Sequence, residues 1–367
     1  MHKTSAWPLA LIYVALIVFA SLFPFSGWRA QGVAPWAFLL TPLPPPYWTR
    51  FDVFTNLLGY APLGFVLALA LLRTGVRTRW AFALATLAGA LLSLGMEFLQ
   101  IYLPQRVASN LDWLLNALGT LAGALAAVLL ERWGALARWS DLRARWFVPD
   151  ARGALVLLAL WPAALLFPAA VPFGLGQVLE RLDAALVEAL DGTPFLDWLP
   201  QLDEESLDPL SPGGEMLCVA LGLLIPCLLG YGVIRTAGRR ALFAAGALLA
   251  GLAATALSAA LSWGPVHAWD WLSLPVRASL VLVLLAATVL LPMGRRACLA
   301  LLLLALAWHL SVLNQAPTSA YFSHTLQLWE QGRFIRFYGL GQWLGWLWPY
   351  ATLLYALLRL SRRDDVR

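Results

Sequence analysis

The polar residues best suited to chemistry lie in a stretch of the chain that is otherwise strongly apolar, residues 93–123. In "SLGMEFLQIYLPQRVASNLDWLLNALGTLAG" they are Glu97, Gln100, Arg106, Asp112 and Asn116. Carboxylates can transfer protons, arginine can bind a phosphate or carboxylate, and amides can hydrogen-bond to sugars or peptides. These residue types could therefore form either a binding site or an acid–base site.

The spacing of these residues predicts that they lie close together. Glu97 and Gln100 are three positions apart on one predicted helix, so they share a face of it. Asp112 and Asn116 are four positions apart on the next helix and share a face in the same way. The short connection between the helices contains Arg106 and keeps the two helix ends adjacent. We therefore expect one polar cluster.

An earlier segment, "FDVFTNLLG" (51–59), repeats the pattern of "LDWLLNALG" (111–119) as D-x-x-x-N-x-L-G. The repeat predicts a helical hairpin duplicated in parallel, with both copies entering from the same side. Gly119 and Gly123 then provide a surface of small residues on which another helix can pack closely. The complete polar cluster is Asp52, Asn56, Glu97, Gln100, Arg106, Asp112 and Asn116.

The elements that must position this cluster are membrane helices. Of 367 residues, 61% are hydrophobic and 12% are charged, and the mean hydropathy is +0.73. A membrane-spanning helix needs about 20 mostly apolar residues. The chain is predicted to be an all-α polytopic integral membrane protein with about ten spans, at 7–25, 53–72, 80–99, 111–130, 153–172, 215–234, 241–262, 275–292, 297–313 and 343–360.

The first span follows Lys3 and resembles a signal sequence without a convincing cleavage site, so we expect a retained signal-anchor helix.

Cys218, Cys227 and Cys298 all fall inside apolar spans, which favours small core residues over a disulfide or metal set. The segment "DEESLD" (203–208) lacks the glycine and the ligand spacing of an EF-hand loop. The sequence therefore predicts no metal site and no cofactor.

The distribution of arginine predicts the orientation. Cytoplasmic loops of membrane proteins are enriched in Lys and Arg, so both termini are expected in the cytoplasm of a bacterial cell, with the protein in the inner (plasma) membrane. The net charge of +5 is explained by this bias and not by nucleic-acid binding. The residues that fall on the predicted inner side are Lys3, Arg73, Arg77, Arg79, Arg132, Arg138, Arg143, Arg145, Arg152, Arg235, Arg239, Arg240, Arg295, Arg296, Arg359, Arg362, Arg363 and Arg367.

Three segments make up the predicted organisation. Residues 1–132 form a four-helix membrane domain, and 133–152 form a cytoplasmic linker rich in Arg and Trp that suits an interfacial helix. Residues 153–367 form a C-terminal membrane domain of about six helices. Its acidic outer loop, 173–214, contains an amphipathic helix within "GQVLERLDAALVEALDG". Its second outer loop, 314–342, is predicted to lie at the membrane interface.

The polar pattern of residues 7–132 resembles the VanZ-like membrane protein family. The matching positions are Asp52, Asn56, Pro62, Gly64, Glu97, Gln100, Arg106, Asp112, Asn116, Gly119 and Gly123. The resemblance implies a four-helix membrane domain, associated in the family's namesake with low-level resistance to teicoplanin-type glycopeptide antibiotics. It implies no cofactor and no agreed catalytic residue.

We therefore expect the polar cluster to bind an amphiphilic ligand of the cell envelope: a lipid-linked cell-wall or polysaccharide precursor, or a teicoplanin-type glycopeptide. Arg106 would contact a phosphate or carboxylate, and Asn56, Asn116 and Gln100 would donate to sugar or peptide groups. The carboxylates would orient Arg106 or accept from amines. The expected partner is thus a membrane lipid or lipid-linked glycan.

Three alternatives remain open at the level of the sequence. Glu97 and Asp112 could act as a general acid and base on a lipid-linked substrate, with Arg106 stabilising an oxyanion. The parallel repeat could indicate transport of a lipid or solute. Arg106 and the carboxylates could also simply hold the two hairpins together.

Overall fold

The computed structural model describes residues 6–23, 25–45, 48–167, 169–195, 210–316 and 335–361. Within these ranges the regular secondary structure is helical, apart from one isolated antiparallel bridge between Phe147 and Ile234. The chain divides into two compact units, Met1–Asp141 and Leu142–Arg367. The division falls inside the predicted linker, within a helix that spans Ala135–Trp146.

The described residues of the N-terminal unit form four long helices and one short turn of 3₁₀ helix at Ala37–Leu40. A fifth helix, α5, crosses the division between the units. The helices are α1 (Ala6–Leu22), α2 (Arg50–Arg73), α3 (Thr78–Gln100), α4 (Asn110–Arg132) and α5 (Ala135–Trp146).

A close contact between the backbones of α2 and α4 organises this unit. A Cβ atom on Gly119 would lie 2.3 Å from the carbonyl oxygen of Leu57, and one on Gly123 would lie 1.8 Å from that of Ala61. Moving four residues along α4, from Gly119 to Gly123, also moves the contact four residues forward along α2, from Leu57 to Ala61. The two helices α2 and α4 therefore run in the same direction. The predicted parallel arrangement of the two hairpins agrees with this packing, which only small residues permit.

The helix α3 presents a row of small residues every fourth position, at Ala81, Ala85, Gly89 and Ser93, and all four are buried. The side chain of Thr120 on α4 fits against Gly89, where an added Cβ would come within 2.4 Å of it. The helix α1 covers the outside of α2 and α3 through a small apolar core made of Ile17, Leu22, Tyr60, Leu63, Met96 and Leu103.

The C-terminal unit is built around one central helix, α8. In its apolar segment, 67% of the residues are buried. Its neighbours are α6, α9, α10 and α11, while α12 packs on α6 and α11. The helices are α6 (Arg152–Ala164), α7 (Leu179–Leu190), α8 (Pro212–Tyr231), α9 (Ala237–Trp263), α10 (Leu274–Val289), α11 (Arg295–Leu313) and α12 (Ile335–Ser361).

Serine and proline residues define where these helices begin. The Ser211 side chain accepts a hydrogen bond from the backbone N–H of Gly214 at the start of α8, and Ser273 caps α10 in the same way. Proline stands in the first turn of both helices, where its missing N–H costs no hydrogen bond. These caps lie at the end of the unit that also contains the last turn of α9.

Six of the described helices are long and apolar enough to cross a membrane: α2, α3, α4, α8, α9 and α11. Each of the ten predicted spans contains a helix, but α1, α6 and α10 are shorter than 18 residues, so the count of about ten is not confirmed. The largest difference is the predicted span 153–172, which is helical only over Arg152–Ala164. The sequence has a proline at position 168, and proline has no N–H with which a continuing helix would bond the carbonyl of Ala164.

Two smaller predictions are confirmed. The acidic segment 173–214 contains the amphipathic helix α7, which is followed by Gly192 in the left-handed region at φ +72°. Cys218, Cys227 and Cys298 are buried free thiols. Most of the segment predicted to be the second outer loop, including 317–334, and the "DEESLD" segment lie outside the described residues.

The packing of α2 on α4 predicts opposite effects for two glycines of the same helix. Gly64→Ala would place a Cβ 1.9 Å from the carbonyl oxygen of Thr120, so we expect it to lower the free energy of unfolding by about 1–3 kcal/mol. Gly59→Ala meets nothing within 4 Å and should be neutral or raise stability by up to about 1 kcal/mol, because alanine favours the helix. Thermal unfolding of both purified variants measures the difference, and equal melting temperatures would contradict the close contact.

Candidate functional site

Glu97 connects the end of α3 to the beginning of α4. Its side chain is only 3% exposed, and its Oε2 accepts a hydrogen bond of 2.8 Å from the backbone N–H of Ser109. The hydroxyl of Ser109 in turn accepts from the N–H of Asp112 at 3.3 Å, which makes Ser109 the N-cap of α4. The carboxyl group of Glu97 therefore lies at the N-terminus of a helix, where the helix dipole favours negative charge.

Arg106 and Gln100 both bind the C-terminal end of α1. The Nη2 of Arg106 donates to the carbonyl oxygens of Ala20 and Phe23, at 3.2 and 3.1 Å. The Nε2 of Gln100 donates to the carbonyl oxygen of Ser21 at 3.0 Å. The last carbonyls of a helix have no partner within it, so these side chains supply their hydrogen bonds.

Asp52 takes part in a capping box at the start of α2. Its Oδ2 accepts from the backbone N–H of Thr49 at 3.1 Å and from the Thr49 hydroxyl at 2.7 Å. The same hydroxyl accepts from the N–H of Asp52, also at 3.1 Å. Ser109 and Asp112 have the same spacing at the start of α4, so half of the repeated pattern marks two helix beginnings.

Asn116 lies deeper in the bundle, between α3 and α4. Its Nδ2 donates to the hydroxyl of Ser93 at 2.9 Å, and its backbone carbonyl accepts from the hydroxyl of Thr120. Asn110, at the beginning of α4, donates to the carbonyl oxygen of Thr41 at 2.6 Å. Asn116 and Asn110 are 4% and 7% exposed, so both amides are taken out of solvent.

Three amide atoms in this region are buried and have no hydrogen-bond partner among the described residues. They are the Nδ2 of Asn56, the Oδ1 of Asn110 and the Oδ1 of Asn116. Most buried polar groups in native proteins are paired, and leaving one unpaired costs about 1–3 kcal/mol. One donor and two acceptors are thus left unsatisfied in the same part of the bundle.

The seven residues of the polar cluster all belong to one end of the N-terminal unit. Glu97 and Gln100 stand at the end of α3, while Asp112 and Asn116 stand at the beginning of α4. Asp52 and Asn56 join them because α2 runs parallel to α4. Of the seven, Glu97 and Asn116 are buried, and the other five are half-buried: Asp52, Asn56, Gln100, Arg106 and Asp112.

Several residues of this region were missed by the sequence analysis. Thr49 and Ser109 carry a readable signal, a hydroxyl residue three positions before an acidic one at the start of an apolar run. Ser93 and Gln31 carry no such signal, because their partners are distant in sequence. Ser93 accepts from Asn116, 23 positions away, and Gln31 donates to the carbonyl oxygen of Ile101, 70 positions away. Among the described residues, no group of three His, Cys, Asp or Glu side chains could hold a metal ion.

Most of the N-terminal unit matches the model of a known protein family. Residues 6–131 match the VanZ/LLP1 family model. The match confirms the resemblance inferred for residues 7–132, and every residue of the polar cluster falls within this VanZ-like domain. No curated protein sequence and no solved structure matches the chain. The match ends at residue 131, so the helical unit that follows lies outside it.

The contact of Glu97 with the start of α4 predicts how the VanZ-like domain responds to substitution. Glu97→Ala would leave the N–H of Ser109 without its acceptor and should lower the free energy of unfolding by about 1.5–3 kcal/mol. Glu97→Gln keeps a carbonyl oxygen in place and should lose less. Chemical unfolding of the two variants checks this order; a Gln variant as unstable as the Ala variant would mean that the charge, rather than the hydrogen bond, stabilises the helix start.

Proposed function

We propose that the VanZ-like domain binds an amphiphilic ligand of the cell envelope at the polar cluster. The ligand would be a lipid-linked cell-wall or polysaccharide precursor, or a glycopeptide antibiotic of the teicoplanin type. Its apolar chain would remain among the lipids, and its sugar or peptide head would reach the half-buried polar side chains. A domain with helices apolar enough to cross a membrane and a polar cluster at one end suits such a ligand.

The unsatisfied amide atoms are the observation that supports this proposal most directly. The Nδ2 of Asn56 is a donor, and the Oδ1 atoms of Asn110 and Asn116 are acceptors. Sugars and peptides carry both donors and acceptors, so a head group that enters between the helices could pair with these buried atoms. The free energy lost by leaving these groups unpaired in the empty domain would then be recovered on binding.

Arg106 gives the same end of the domain a positive charge. The guanidinium already holds the end of α1 through the carbonyls of Ala20 and Phe23, which fixes its position. It is only half-buried, so its surface remains accessible to a phosphate or carboxylate. Asp52 and Asp112, also half-buried, would accept from hydroxyl or amine groups of the ligand.

Asn56→Leu distinguishes binding from a structural role. The substitution removes a buried donor that has no partner among the described residues, so the melting temperature should stay the same or rise. Affinity for a lipid-linked disaccharide-pentapeptide or for teicoplanin should fall by about two- to tenfold, the loss of one hydrogen bond. Binding is measured on the full chain in lipid nanodiscs.

Phe54→Leu is the matched control, because Phe54 lies on the same helix and is 64% exposed. It should bind both ligands like the wild type. A purely structural role, which the contacts of Glu97, Gln100 and Arg106 favour, predicts the reverse pattern for Asn56→Leu: a lower melting temperature and no change in affinity. No measurable binding by the wild-type protein would also reject the proposal.

The proposed function requires the polar cluster to face outward from the bacterial inner membrane, with both termini cytoplasmic. The three native cysteines are buried, so introduced cysteines can report the orientation. Asp191→Cys should react with a membrane-impermeant maleimide in intact spheroplasts, and Arg138→Cys only after permeabilisation. Both positions are exposed. The opposite labelling pattern would place the cluster on the cytoplasmic side.

A further inference from the structure

The C-terminal unit contains a cavity of about 360 Å³ that belongs to neither the polar cluster nor the VanZ-like domain. It lies where α6 ends and where α8 and α10 begin, beside the last turns of α9. Its volume falls within the range of small-molecule sites. The residues that line it are Leu165, Phe167, Ala169, Ala170, Pro172, Phe173, Glu215, Thr255, Ser258, Ala259, Ser262, Asp270, Trp271 and Ser273.

The walls of the cavity are mostly apolar and include three aromatic rings, Phe167, Phe173 and Trp271. Phe173 and Trp271 pack edge to face with ring centroids 5.6 Å apart. The indole N–H of Trp271 donates to the carbonyl oxygen of Ala268 at 2.8 Å, which fixes the orientation of the ring. These rigid walls can receive an alkyl chain, and aromatic faces also attract cations.

Two carboxyl groups supply the charge. Glu215, in the first turn of α8, accepts from the hydroxyl of Ser273 at 3.0 Å, so its position is fixed. Asp270 is exposed at the mouth of the cavity and pairs with the Nδ1 of His267 at 2.6 Å. No lysine or arginine occurs among the lining residues that the structure describes. The cavity therefore favours a positive head group and disfavours an anionic one.

Hydroxyl groups complete the polar part of the cavity. Thr255, Ser258 and Ser262 occupy one face of the last turns of α9. Ser258 and Ser262 donate to the carbonyl oxygens of Leu166 and Ser258, both at 2.8 Å. The hydroxyl of Thr255 is buried and has no hydrogen-bond partner within the described part of the chain. One polar atom of the cavity wall is thus available to a ligand.

We propose that this cavity binds the ammonium head group of a cationic amphiphile. The head group lies between Glu215 and the aromatic rings of Phe173 and Trp271, and the alkyl chain extends along Leu165 and Phe167. The Glu215 carboxylate accepts a charge-assisted hydrogen bond from the ammonium group. The site is distinct from the proposed site in the VanZ-like domain and does not depend on it.

The test is calorimetric titration of the full-length protein in lipid nanodiscs with octylammonium, corrected with empty nanodiscs. Octyl glucoside and octyl phosphate carry the same chain with a neutral and an anionic head. We expect one saturable site for octylammonium, and weaker binding of the other two. Glu215→Gln keeps an acceptor for Ser273 but removes the charge, so its affinity should fall about tenfold or more.

Two further variants keep the result interpretable. Glu188→Gln is the matched control on the exposed face of α7 and should bind like the wild type. Ala170→Trp, at the half-buried rim of the cavity, should block binding by filling the space without touching a charge. Equal binding by all four proteins, or binding of octyl phosphate or octyl glucoside as tight as that of octylammonium, would overturn the proposal.

Discussion

The backbone contact between α2 and α4 is the constraint on which the VanZ-like domain depends. Three glycines, Gly64, Gly119 and Gly123, let the two helices approach until main-chain atoms meet. Lipid offers no hydrophobic force to drive apolar helices together, so close packing of small residues must supply the attraction. The contact also fixes the relative height of the helices, which brings both of their capped beginnings to the same end of the bundle.

The position of the polar cluster is a consequence of this arrangement. Because the helix beginnings are adjacent, the side chains that cap them and the end of α3 gather in one place. Most of these side chains then serve the fold: Glu97 holds the start of α4, and Gln100 and Arg106 hold the end of α1. The same residues remain half-buried or lie beside unsatisfied amides, so structural and binding roles are compatible at this end of the domain.

The sequence was sufficient to predict the long helices of the N-terminal unit, the parallel course of α2 and α4, and a position for the polar residues near helix ends. It was less informative about what those residues do, because their partners are backbone groups brought close only by folding. Gly59 and Gly119 illustrate the limit. They occupy equivalent positions in the repeat, yet a Cβ on Gly59 meets nothing within 4 Å, whereas one on Gly119 would collide with Leu57. Periodicity identifies such residues but not which of them faces a neighbour.

The C-terminal unit shows the same limit in another form. A continuous apolar run over 153–172 predicts a full span, but the helix stops at Ala164. The residues beyond it that line the cavity are Leu165, Phe167, Ala169, Ala170, Pro172 and Phe173. A helix of full length would give that segment internal hydrogen bonds and a regular surface. Its early end leaves backbone carbonyls such as that of Leu166 to be satisfied by Ser258. The early end of α6 thus leaves room for a polar pocket within an otherwise apolar unit.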